Sequence, residues 1–305
     1  MQRKIIGGLV TFALVVGGNA ALGQTPPGEP AGAGSVELLE PGDLPRQVLR
    51  YDLTRAAEAE LVLQTDVEAS AGPGPREVMP RMVLPLTLRA DSVAEGHAQV
   101  QYSSGPMTVE ARPGSTNVAL GAMRQQANDL PPVEGTVVIS DTGRELTRRR
   151  PDVAASPQAH EQLERTGEII SDLQAVLPDE PIGIGGRWTV ESAVQSGGIA
   201  MTRTLAYTLQ EVDGQTLTLH VEASFEAPAQ NMAMPGAPPD LNMQLLELTG
   251  TGEGTLRMSL DSLASEMDLL IHVNMRIESQ QLGQKVSLNP QTWTRIRVSE
   301  ADQAE

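Results

Sequence analysis

Cysteine is absent from all 305 residues, which removes a zinc ribbon, a thiol nucleophile, a redox CxxC pair and a disulfide scaffold in one stroke. Lysine is nearly absent as well. Only Lys4 and Lys285 occur, so lysine-based mechanisms have almost no material. Two Trp, three Tyr and two Phe are too few for the stacking platforms of single-strand readers. Positive charge is outweighed, with 22 Lys plus Arg against 39 Asp plus Glu, and a net charge of −17 repels phosphate backbones. Nucleic acid is therefore not an expected partner. A G-x-S-x-G elbow and an S-x-x-K pair are also missing. The four histidines, His97, His160, His220 and His272, stand in no short metal-ligand spacing. The sequence thus predicts a non-enzyme, with no catalytic residue, no metal and no cofactor.

What is present begins with an export signal. Arg3 and Lys4 precede an apolar run from Ile5 to Val16, and small residues follow from Gly17 to Gly23. This is the three-part layout of a secretory signal peptide over residues 1–23, cut after Gly23 or, alternatively, after Ala20. The run is shorter than the roughly 20 residues that span a bilayer, so cleavage is expected to leave no stable membrane span. Losing Arg3 and Lys4 deepens the charge from −17 to −19. Without cysteine near the cut, no lipid anchor is expected, and the product is periplasmic or extracellular. Without disulfides, its fold must rest on core and backbone pairing.

Residues 24–45 hold Pro26, Pro27, Pro30, Pro41 and Pro45 among Gly and Ala, which predicts a flexible linker. From 46 to 299 the pattern is mostly period two. Leu61, Leu63, Thr65 and Val67 alternate with Glu60, Val62, Gln64, Asp66 and Glu68, and Met82, Leu84, Leu86 and Leu88 alternate with Arg81, Val83, Thr87 and Arg89. Met201, Leu205, Tyr207 and Leu209 face Leu217, Leu219, Val221, Ala223 and Phe225 across Asp213-Gly214, a strong hairpin signal. Met267, Leu269, Ile271, Val273, Met275 and Ile277 line one face of a long strand. Short strands are expected around 137–139, 256–260 and 293–298. Two helices interrupt them. One is capped by Asn117 and ended by Pro131-Pro132; the other runs over 156–177, from Ser156-Pro157 to Pro178, with Gly167 weakening its middle. Residues 300–305 read as an acidic tail.

Glu134-Gly135-Thr136 and Ser140 match Glu253-Gly254-Thr255 and Ser259 at an offset of 119. The same offset carries Met82, Leu86, Leu88, Ala98, Val100 and Tyr102 onto Met201, Leu205, Tyr207, Leu217, Leu219 and Val221 without a gap. Such phase-keeping points to an internal duplication, with half-repeats 46–150 and 185–299 joined by the 156–177 helix.

The remaining clusters have bland readings. His160 lacks a ligand at i+4 and reads as solvated helix face, while His220 and His272 share polar strand faces with Glu222, Asp268 and Asn274. Glycines 183, 185 and 186, and 250, 252 and 254, precede strands where a phosphate cradle needs a helix, so turns or bulges leading into strands are expected. Met232, Met234 and Met243 offer thioethers that suit Cu(I), yet no His or Cys joins them, and residues 228–243 read as a Pro-broken loop. Arg148-Arg149-Arg150 is a solvated loop or nicking site.

Leu49-Arg50-Tyr51, the turn Asp141-Thr142-Gly143-Arg144, and the run from Leu177 to Trp188 resemble a family of uncharacterised exported bacterial proteins, as does the later Gly250–Thr255 segment. The expected architecture is α+β and predominantly antiparallel β: a large curved sheet or half-barrel with one or two covering helices. In outline this is similar to lipoprotein-carrier folds, where a half-barrel holds acyl chains. The resemblance brings no catalytic residues with it, and the absent lipobox cysteine departs from lipid-anchored members. An apolar ligand or acyl chain is the expected partner, with an envelope protein as the alternative. Candidate cavity residues are Leu86, Leu205, Tyr207, Leu219, Ile271 and Met275, with Trp188 and Trp293 at the rim.

Overall fold

The computed structural model describes residues 34–55, 58–72, 74–94, 96–130, 132–149, 170, 172–196, 199–232, 242–281 and 284–303. In the N-terminal part the strands are β1 Ser35–Glu40, β2 Ala59–Ser70, β3 Glu77–Val78, β4 Arg81–Ala94, β5 His97–Ser104, β6 Thr108–Glu110, β7 Glu134–Ser140 and β8 Glu145–Arg149. The C-terminal part adds β9 Arg187–Ser196, β10 Ile199–Asp213, β11 Thr216–Ala227, β12 Gln230–Met232, β13 Asn242–Ser259, β14 Ser265–Gln281, β15 Gln284–Leu288 and β16 Gln291–Glu300. All join one unclosed sheet in the order β1-β9-β10-β11-β13-β14-β16-β2-β4-β5-β7-β8, with β12, β15, β3 and β6 as short side pairings. Strand pairing is antiparallel throughout the named strands.

Two meanders make this order. β2-β4-β5-β7-β8 is completed by β16, and β9-β10-β11-β13-β14 is completed by β1, so each takes its first strand from the opposite end of the chain. The expected linker is therefore corrected: residues 35–40 are an edge strand in which Val36 and Leu38 pack against the core. Proline density at 26–45 obscured that short alternation. The expected tail is shortened likewise, because Glu300 closes β16 and Ala301–Gln303 form a 3-10 turn.

The 119-residue offset reappears in the hydrogen-bond register. Leu88 pairs Tyr102 as Tyr207 pairs Val221, and Tyr102 pairs Gly135 as Val221 pairs Gly254. Both hairpins carry their register shift at the same place, between Ala90 and Ser92 and between Leu209 and Glu211. The second hairpin turns through Gly214, with φ +61°, and Gln215, since Asp213 already pairs Thr216. Laid flat, nine strand spacings from β9 to β7 would cover about 43 Å. Yet the Val176 carbonyl accepts from Trp188 Nε1 of β9 at 2.7 Å, while the next amide, Leu177, donates to Thr142 beyond β7 at 2.8 Å. The sheet therefore curls until its two ends meet this one segment.

That segment also explains a difference from expectation. Most of the predicted 156–177 helix lies outside the described residues; Ile170 and Asp172 are helical, but 173–177 are not. Tertiary partners take the backbone groups instead: Ser265 donates to the Leu173 carbonyl, Tyr51 to that of Ala175 and Trp188 to that of Val176. Leu173, Ala175 and Leu177 are thereby fully buried. Arg50 joins this junction by donating to Pro178 O and pairing with Asp179 at 2.9 Å, and the Tyr51 amide donates to Asp141 at 2.7 Å. Gly143, at φ +79°, lies so close that a Cβ would sit 2.6 Å from the Tyr51 ring. The three dispersed motifs of the sequence thus converge at one place.

The main core draws on both meanders and on this covering segment. Helix α1, Asn117–Asn128, is the one complete α-helix among the described residues. Its cap is Thr116, whose side chain accepts from the Ala119 amide, and not Asn117 as expected. Met123 packs it onto Val67, Ala69 and Met79.

Candidate functional site

Glycines 250, 252 and 254 lie inside β13, the longest described strand, and not at a turn or bulge leading into a strand as expected. Alternation puts all three on the concave face, where β13 has no side chains for five residues. Both neighbours lean in: Cβ atoms on Gly250 would lie 3.1 Å from Val273 and 3.2 Å from Phe225, and one on Gly252 would lie 3.2 Å from Ala223 and Ile271. At Gly254 a Cβ would overlap the Asp268 carbonyl of β14. Side-chain-free positions in a strand allow this close backbone approach and the local bend that goes with it.

The consequence is an apolar floor along β14. Ile271, Val273 and Met275 face inward and stay half-buried, whereas Leu269 at 9% and Ile277 at 3% exposure are buried on either side of them. Phe225 borders the floor across Gly250, and Arg203 stands opposite Phe225 in the register. Arg203 reaches the covering segment through Asp172 at 2.5 Å. Tyr207, stacked on Trp188 with centroids 5.4 Å apart, has its phenol pKa raised by burial, then by the nearby Asp172 carboxylate. Tyr51 is raised by burial as well.

The opposite face of the sheet is polar and arginine-rich. Asp66 of β2 accepts from Arg81 of β4 at 2.8 and 3.0 Å and from Arg297 of β16 at 2.7 Å, with Arg112 at 3.5 Å. Burial pushes the Asp66 pKa up, but the Arg81 hydrogen bond and three guanidinium charges outweigh it and hold the carboxyl below its ordinary value. Asp268 of β14 is lowered chiefly by its paired hydrogen bonds from Arg295, at 2.8 and 2.6 Å. These pairs cross the seam where β14, β16, β2 and β4 join the two meanders.

Among the sequence candidates, Leu86, Trp188, Leu205, Tyr207 and Leu219 lie in the main core, at 8% exposure or less. Trp188 is completely buried and so does not stand at a rim. Ile271 and Met275 lie on the floor. Trp293 is on the opposite face, layered between His272, at 4.7 Å between centroids, and the Arg76 guanidinium, at 3.7 Å. His220 lies near Glu253 at 3.7 Å, so His220, His272 and Asp268 share a face without converging. No group of three potential metal ligands occurs among the described residues. Met243 is buried in β13, Met232 belongs to β12, and Met234 lies outside the described residues, as do His160 and Arg150. Arg148 pairs with Glu145 at 2.6 Å. Sequence reading missed Phe225 and Val273 as floor residues, although their alternation was visible; Asp66 and its arginines gave no local signal.

Among the described residues the architecture defines a class: a curled antiparallel sheet with one covering helix and a covering segment. Residues 165–262, about a third of the chain, match DUF6263, a family of unknown function. That stretch includes β9 to β13, so it takes in most of one meander. No curated protein matches the chain. A crystal structure described as AttH from Nitrosomonas europaea aligns over 83% of this chain and 98% of its own at 7% identity, with a TM-score of 0.13. No described helix is long and apolar enough to cross a membrane.

Proposed function

We propose that this chain is an exported, non-catalytic protein that holds an apolar ligand on the concave face of its sheet. The carrying observation is the half-buried row Ile271, Val273 and Met275, apolar throughout and flanked by buried residues on the same strand. Burying such a row against a ligand is favourable by about 25 cal/mol per Å² of apolar surface. The N-terminal signal pattern supports export. Structural commitments of the polar residues support the non-catalytic reading, since His272 is stacked on Trp293 and Asp268 is held by Arg295. A net charge of −17 disfavours anionic headgroups, so the interaction would concern the apolar chain.

Titration with N-phenyl-1-naphthylamine, an uncharged apolar probe, tests this. Saturable fluorescence enhancement is expected, weakened at least tenfold by Ile271→Gln. Absence of saturable binding, together with no retained ligand in native mass spectrometry, would refute it. A second reading, docking to an envelope protein, draws on Leu39, Leu44, Val48 and Ile184. These exposed residues gather where loop 41–48 pairs with turn 182–186. Substituting Leu44 and Ile184 with Ser would abolish capture of such a partner without changing probe binding.

A further inference from the structure

Gln174 is 5% exposed, and among the described residues neither its Nε2 donor nor its Oε1 acceptor has a hydrogen-bond partner. Buried amides in folded proteins are almost always paired, so a side chain with both ends unmatched points to a missing partner. The carbonyls of Leu173, Ala175 and Val176 are already taken by Ser265, Tyr51 and Trp188. Two residues before it, Asp172 is tied to Arg203, which borders the half-buried floor opposite Phe225. The covering segment that carries the unmatched amide is thus tied, through Asp172, to the arginine that borders the floor.

An amide asks for a particular chemistry. It offers one donating and one accepting end and no charge. A carboxylate would satisfy Nε2 but set its second oxygen against Oε1, and would add negative charge near Asp172. A quaternary ammonium donates nothing. An uncharged head with both a donor and an acceptor, such as a primary amide or an alcohol, meets both needs. We propose that Gln174 binds the uncharged polar head of a single-chain amphiphile whose tail lies on the β14 floor. This rests on the apolar-ligand reading above and adds the head-group class to it.

The test uses the purified full chain and three uncharged probes of one chain length, dodecanamide, 1-dodecanol and 1-chlorododecane, with dodecanoate as the charged comparison. Affinity is read by displacement of the naphthylamine probe. Two added neutral hydrogen bonds predict that dodecanamide binds about tenfold tighter than 1-chlorododecane. Gln174→Met keeps the volume and removes the amide, so it should reduce that ratio to near one while leaving 1-chlorododecane affinity within about twofold. The ratio in the unaltered protein decides the matter even if the variant folds poorly. Equal affinity for all three probes, tighter binding of dodecanoate than of dodecanamide, or an unchanged ratio in Gln174→Met overturns the proposal and leaves the apolar-ligand reading standing. Failure of every probe to bind refutes both.

Discussion

Asp66→Asn isolates the polar seam from everything else in the fold. The substitution keeps the shape and one accepting oxygen but removes the charge shared by Arg81, Arg297 and Arg112. Asp66 is 8% exposed at its side chain, so water cannot replace the lost carboxylate oxygen. Removing one partner of a buried ion pair costs roughly 3–5 kcal/mol. The three arginines are 18% to 32% exposed and can recover some hydration, so we place the loss near the lower bound, about 3 kcal/mol. Urea unfolding at pH 7, followed by far-ultraviolet circular dichroism, gives the number, provided the m-value is unchanged. The pH dependence provides a second constraint. The folded-state pKa of Asp66 is depressed below 3.8, so its contribution is fully present above the unfolded value and is lost as pH falls through the folded one. The difference between the two proteins should therefore be flat from pH 5 to 8 and shrink below about pH 4. A loss under 1 kcal/mol, or a difference that grows in acid, would refute this account of the seam.

Gly254→Ala should destabilise by about 3 kcal/mol or more in the same assay, because the new Cβ overlaps the β14 backbone and that strand cannot withdraw without breaking its ladder. Gly121→Ala is the matched control: on helix α1 nothing lies within 4 Å of its Cβ, and a gain of about 0.5–1 kcal/mol is expected. Gly143→Ala forces an L side chain to φ +79° against the Tyr51 ring, and a loss of about 2–4 kcal/mol is expected from strain plus overlap. Trp188→Ala empties the most buried large site and leaves Val176 O without its donor; it should cost about 3–5 kcal/mol and remove the blue-shifted share of the tryptophan emission. Unchanged stability in Gly254→Ala would mean that the bend does not depend on a side-chain-free strand.

Alternation alone established much of this protein. Leu205, Tyr207 and Leu209 facing Leu217, Leu219 and Val221 fixed a hairpin, because a strand shifted by one residue would send every apolar side chain to water. The 119-residue offset foretold a register shared down to the position of the shift. Where partners are distant in sequence, local pattern was silent. β1 sits in a proline-rich stretch and becomes a strand only because β9 offers it an edge. Residues 173–177 carry a helical stripe, yet Tyr51, Trp188, Thr142 and Ser265 claim their backbone groups. Arginines at 81, 112 and 297 become one network only when β16 pairs β2. Trp293 and Trp188 look equivalent in sequence, but strand phase puts one on the polar face and the other in the core. Periodicity tells which residues share a face; which face closes, and which stretch of it stays open, is decided by curling, and curling depends on contacts between strands that the chain alone keeps far apart.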